Sequence, residues 1–171
     1  ALDEGCDYPR HNCISFSMYP RDPQPGDVSK EEAIRVLAEA EAAGLVHSVS
    51  NVVEGVSYVC NRCGCCCGIL RGITEFGVAN SMARSNYEAV VSPDDCVGCG
   101  TCAERCHVSA VALVDDRAAV DRDRCLGCGV CISTCPAEAI HLAPRPVAEQ
   151  VRPPATFGEW EERRLRHRNL L

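Results

Sequence analysis

Aromatic side chains make up only 5% of the 171 residues, so few large rings are available to build a core. No apolar run approaches the roughly 20 residues a membrane span requires, and no charged start leads into an apolar core as in a secretory signal. A soluble, cytoplasmic protein without a membrane span is the expectation. A basic excess is also missing. The net charge of -7 argues against nucleic acid as the main partner, because phosphate contacts need a basic face. No Ser-His-Asp arrangement, phosphate-cradling glycine loop or dinucleotide fingerprint occurs, so no autonomous catalytic site is visible. His11, His47, His107, His141 and His167 share no spacing and are read as surface or packing residues, with His11, two residues before Cys13, the nearest to an exception.

Cysteine is what the chain has in excess, 15 in 171 residues. Such a density belongs either to a disulfide scaffold or to a metal protein. The spacings decide for metal. Cys96, Cys99, Cys102 and Cys106 read C-x2-C-x2-C-x3-C, and Cys125, Cys128, Cys131 and Cys135 repeat it, closed by Pro136. A two-residue spacer lets three thiolates of one tight loop face a common centre, while Gly98, Gly100, Gly127 and Gly129 leave backbone N–H groups free to point at sulfur. In proteins using this run the fourth cysteine ligates the other cluster. Cluster one would then be held by Cys96, Cys99, Cys102 and Cys135, and cluster two by Cys125, Cys128, Cys131 and Cys106. Metal binding would also supply folding free energy that a core poor in large side chains lacks.

On these residues Asp95 to Leu142 resembles the bacterial-type dicluster ferredoxin domain, a resemblance that covers about a third of the chain. It implies two 4Fe-4S clusters and one-electron transfer, with no substrate chemistry of the domain's own. His107 stands where the second run has Pro136 and is read as a tolerated substitution. Upstream, Cys60-Asn61-Arg62-Cys63-Gly64-Cys65-Cys66-Cys67-Gly68 resembles ferredoxin-like proteins with a C-x2-C-x-C-C-C-Gly box ahead of the dicluster domain, and this second resemblance implies an extra metal site.

The expected fold class is α+β: a ferredoxin-like pseudo-twofold (βαβ)2 dicluster domain preceded by a small helix-plus-hairpin, cysteine-rich module. Residues 1-27 read as an irregular segment holding Cys6 and Cys13, because Pro, Asp, Asn and Arg dominate without periodicity. Residues 28-86 form the cysteine-rich module. Ser29 with Glu32 is a capping box opening a helix over 28–45 that Gly44 closes. Residues 45–49 and 56–59 read as a hairpin around Glu54-Gly55, and Ile69, Leu70, Ile73 and Phe76 as a short helical face packing on the dicluster body. Residues 87-143 make the dicluster domain, in which a shift of 29 residues lays Cys96 on Cys125, Val111 on Ile140 and Leu113 on Leu142. Strands are expected at 87–91, 111–114, 118–120 and 139–142, with a short helix after each cluster loop. Residues 144-171 form a Pro-rich connector and a helix opened by Thr156, either solvated or docking a partner through Phe157, Trp160 and Leu165.

Seven cysteines stand outside the two runs: Cys6, Cys13, Cys60, Cys63, Cys65, Cys66 and Cys67. Four would complete a third 4Fe-4S cluster or a tetrahedral zinc site. The favoured reading is a third 4Fe-4S cluster on Cys60, Cys63 and one or two of Cys65 to Cys67, closed by Cys6 or Cys13, since three adjacent cysteines are expected to point in different directions; zinc is the alternative, and a second extra cluster follows if the excess thiols converge. The functional expectation is an electron-transfer protein or oxidoreductase subunit whose acidic surface meets a basic patch on a redox partner, a flavin or metal enzyme. Two alternatives stay open: the cluster-bearing part of a larger oxidoreductase whose catalytic centre lies on another chain or a missing N-terminal region, and a thiol-rich metal carrier or maturation factor.

Overall fold

The computed structural model describes residues 6–9, 11–17 and 19–170. Helix α1 spans Lys30–Ala42, and the reciprocal cap forms as expected: the Ser29 hydroxyl accepts from the Glu32 N–H at 3.1 Å, and the Glu32 carboxylate accepts from the Ser29 N–H at 3.0 Å. The chain leaves the helix at Gly44, whose φ of +86° only glycine adopts without strain. The Leu45 N–H then bonds back to the Ala40 carbonyl, which turns the chain directly into the next strand.

Strand β1 is Ile14–Ser15, β2 is Val46–Ser48 and β3 is Tyr58–Arg62; β3 lies between the other two, antiparallel to both. Two expectations change here. The N-terminal segment is not wholly irregular, because Ile14 pairs with Val59 and Ser15 with Tyr58. The hairpin partner of β2 is displaced towards the cysteine box, with Val46 opposite Arg62 and Ser48 opposite Cys60, so the connection is a long loop rather than a tight turn at Glu54-Gly55. That loop is used elsewhere. The N–H groups of Val53 and Glu54 donate to the carbonyls of Pro154 and Ala155, which ties the C-terminal connector to the upstream module.

Helix α2, Gly68–Thr74, follows the box, and its Leu70 is fully buried against Val46, Val108, Val111, Leu126, Val130 and Ile140. Upstream and dicluster segments therefore share one core. Ile73 joins it from the edge, whereas Phe76, expected on the same face, is exposed. A second small core forms under α1 from Ala40, Leu45 and Cys63, with Cys6, Tyr8, Ala43 and Cys66 against it.

In the dicluster segment β4 (Tyr87–Val91) pairs antiparallel with β7 (Ile140–Pro144), and β5 (Val111–Val114) with β6 (Arg117–Val120). Asp115 and Asp116 both have positive φ, the backbone of a two-residue hairpin turn that suits right-twisted strands. A short helix, α3 (Thr101–Glu104), follows the first cluster loop, but only turns follow the second. The terminal helix α4 spans Phe157–His167 with the Thr156 hydroxyl accepting from the Glu159 N–H. Phe157 and Trp160 stack 5.1 Å apart, and the tail is held further by the Asn86 side chain, which accepts from the N–H of Val151 and donates to its carbonyl.

Glu88 on β4 is buried between two arginines, Arg122 at 2.7 Å and Arg145 at 3.3 Å. The Arg122 guanidinium, with Arg145 behind it, holds the Glu88 carboxyl below its ordinary 4.5. A carboxylate depressed in this way stabilises the fold above its unfolded pKa and loses that contribution as pH falls through the folded value. Glu88→Gln should therefore lower the melting temperature at neutral pH, and the gap to wild type should narrow as the pH is taken below 4.5 in paired thermal unfolding curves. A gap independent of pH would show that shape, not charge, matters at this position.

Candidate metal centres

The first cluster loop enters from β4 and turns at Gly98, where φ is +67° and a Cβ would collide with the Asp116 carbonyl. Gly127, the repeat-related position, has φ +69° and presses on the Tyr87 carbonyl in the same way. Each loop thus packs backbone against backbone, which only glycine permits. Cys96, Cys99 and Cys102 of the first run line one small cavity, and the fourth cysteine lining it is Cys135 of the second run. Val91, Leu113 and Ile140 complete an apolar wall around it. Cys106 in turn packs against the core that holds Cys125 and Cys131, and burial pushes the Cys131 thiol up to about 12.

Amide donors are aimed at these sulfurs. The Ala118 N–H lies 3.4 Å from Cys96 Sγ and the Ala110 N–H 3.1 Å from Cys106 Sγ. The amides of Ala118 and then Gly98 hold the Cys96 thiol below its usual range, and the Thr101 hydroxyl does the same for Cys99 at 3.5 Å. Converging soft thiolates, an apolar wall and N–H donors on sulfur suit a thiolate-ligated iron–sulfur cluster, and those donors are among the levers that tune its potential.

Two arginines support this region with no signal in the sequence. Arg145, read only as part of a proline-rich connector, is 7% exposed. It donates to the Cys125 carbonyl at 2.8 Å and to Glu88, buttressing the second cluster loop from behind. Arg105 donates to the carbonyls of Val130, Glu41 and Ala42, so the dicluster segment supplies the cation at the C-terminus of α1. His107 is more than a tolerated replacement. Its Nδ1 accepts from the Gly64 N–H at 3.1 Å, its Nε2 lies 2.7 Å from the Gly44 carbonyl, and Tyr8 meets the ring edge-on. An imidazole protonated on Nε2 satisfies both bonds at once.

Upstream, the structure brings Cys6, Cys63, Cys65 and Cys66 together with all four sulfurs within 4.8 Å of one another. Cys6 and Cys63 are 3.9 Å apart and Cys65 and Cys66 3.7 Å apart, so two adjacent cysteines do share one centre. Hydrogen bonding with Cys66 lowers the Cys6 thiol and raises Cys66 itself, while burial raises Cys65. Cys60, Cys67 and Cys13 are outside this group. Cys67 instead receives the Arg62 guanidinium at 3.2 Å.

Residues 89–142 match the family model of the 4Fe-4S dicluster domain. No curated protein matches the chain. The match falls on the eight-cysteine stretch and supports a dicluster ferredoxin-type domain, with 4Fe-4S clusters as its cofactors and electron transfer as its use. Among the described residues no helix is long and apolar enough to cross a membrane.

His107→Phe keeps the ring and removes both hydrogen bonds, leaving the Gly64 N–H and the Gly44 carbonyl without partners. Such a change should cost on the order of 1–3 kcal/mol in denaturant unfolding of the full chain and speed hydrogen exchange at the Gly64 amide.

Proposed function

We propose that the chain is an electron-transfer protein or subunit with two crossed ligand sets, Cys96, Cys99, Cys102 and Cys135 for one cluster, and Cys125, Cys128, Cys131 and Cys106 for the other. A 4Fe-4S cubane in each set supplies one-electron redox chemistry. The observation that carries the reading is the shared cavity, where three thiols of the first run meet the fourth thiol of the second. The protein's part is to keep these thiols convergent, to exclude water with Val91, Leu113 and Ile140, and to aim the amides of Ala110 and Ala118 at sulfur. The β4–β7 and β5–β6 pairs with Cys106 and Cys135 exchanged between halves agree with a pseudo-twofold arrangement. A net charge of -7 favours a redox partner with a basic docking face, and binding that weakens as salt rises.

The four-thiol group upstream is a further metal position, and its spacing favours one tetrahedral ion over a third cubane. Four sulfurs about 2.3 Å from a single zinc lie about 3.8 Å from each other, against 3.7 Å for Cys65–Cys66, 3.9 Å for Cys6–Cys63 and no more than 4.8 Å for any pair here. In a cubane each thiolate binds a different iron, which spreads the sulfurs further apart. Zinc at this position leaves the clusters as the redox centres and makes the module a structural platform.

Metal and sulfide counts on anaerobically purified protein test both parts. Cys135→Ser should disrupt the cluster of the first run, seen as loss of one of two reducible species in the EPR spectrum of the reduced protein. Cys65→Ser should lower zinc and leave iron and sulfide alone. Full iron content in Cys135→Ser would overturn the crossed ligation, and iron loss in Cys65→Ser would assign that group to a cluster instead.

A further inference from the structure

Four of the seven upstream cysteines meet at one centre, and the remaining three share a different face. Side chains alternate along a strand, so in β3 Asn61 and, just beyond the strand, Cys63 point one way while Cys60 and Arg62 point the other. Cys13 immediately precedes β1. The register Ile14↔Val59 places it opposite Cys60 one step further along. Cys67 reaches the same face from the start of α2, since Arg62 holds its sulfur at 3.2 Å while its Nε donates to the Ser48 hydroxyl at 2.7 Å. Cys13 is exposed and the other two are half-buried, so the face is open to loading.

We propose that Cys13, Cys60 and Cys67 form a second upstream site, an iron–sulfur cluster held by three thiolates, with Arg62 standing at its fourth side. The three sulfurs are not gathered as tightly as the Cys6 group, which is the only set of such ligands among the described residues lying within 4.8 Å. Thiolates bound to different irons stand further apart than those on a single ion, and a structural zinc site would need a fourth protein donor. Arg62 offers none. A guanidinium has five N–H donors and no lone pair, so it cannot ligate iron, but it offsets the negative charge of a thiolate cluster. One corner of the cluster is thereby left to water or a small anion. Arg62 also lines a groove of about 940 Å3 whose wall includes Cys128, a residue of the second dicluster set. His47 does not supply the missing ligand, because it pairs with Asn61 and so lies on the opposite face of the sheet from Cys60 and Arg62.

The test uses the full chain, loaded anaerobically with iron and sulfide and freed of unbound metal. Cys60→Ala/Cys67→Ala should lose iron and sulfide together, by one cluster's content, with zinc unchanged and both dicluster EPR species retained. The exposed Cys13→Ser, which leaves the packing intact, should make the same iron labile. Arg62→Cys adds a thiol at the open corner and should slow removal of that iron by a chelator about tenfold, in line with the usual effect of ligand-shell changes. Iron and sulfide equal to wild type in the double variant would overturn the site, and so would loss of zinc in place of iron. Because the dicluster species are read separately, their absence would count against the electron-transfer reading and not against this one.

Discussion

Strand β3 is central in its small sheet, and the two-residue period of a strand sorts the cysteine box into two faces. Asn61 points inward, where its side chain meets the Asn12 carbonyl and His47, and Cys63 follows on that side into the small core under α1. Cys60 and Arg62 take the opposite side. A one-residue slip in register would exchange the two faces and scatter both groups. The slip is resisted by pairing on both sides of β3, to Ile14 and Ser15 on one edge and to Val46, His47 and Ser48 on the other. The short N-terminal strand thus fixes which face each side chain of a box some 45 residues further on takes, and it sets Cys13 across from Cys60.

The dicluster segment depends on cysteine in a different way. Its sheets are two-stranded pairs, and few large apolar side chains are fully buried; the largest in its core is Leu70, contributed from upstream. Thiols and small side chains such as Ala89, Cys102, Cys125 and Cys131 make up much of the remaining core. A core of this composition gains relatively little from apolar burial, so metal binding and the Glu88–Arg145–Cys125 network carry a larger share of the stability than in an ordinary small domain. The network also fills space behind the second cluster loop that apolar side chains would otherwise occupy.

Much of this was legible from residue spacing. The strand at Tyr87–Val91, the hairpin at Asp115-Asp116 and the caps at Ser29 and Thr156 all rest on local chemistry, which a single sequence displays. The partition of the seven upstream cysteines was not. It depends on β1, a strand of two residues in a stretch that looks like loop, and on a register shift of β3 that no periodicity in Val56 to Val59 announces. Arg105, His107 and Arg145 were hidden for another reason. Each acts by hydrogen bonds to main-chain carbonyls or amides at distant points, and a backbone partner leaves no mark on sequence. The second half of the repeat also shows how far internal similarity reaches: the cysteine loops match at Gly98 and Gly127, yet a helix follows only the first.

Cys106 sits between Arg105 and His107, the two side chains that hold α1 and the Gly64 turn of the cysteine box. On the proposed ligand set, whatever immobilises Cys106 immobilises both anchors at the same moment. Ordering at Cys106 would thus be felt at the end of α1 and at the Gly64 turn together, which couples the two halves of the chain through one three-residue segment.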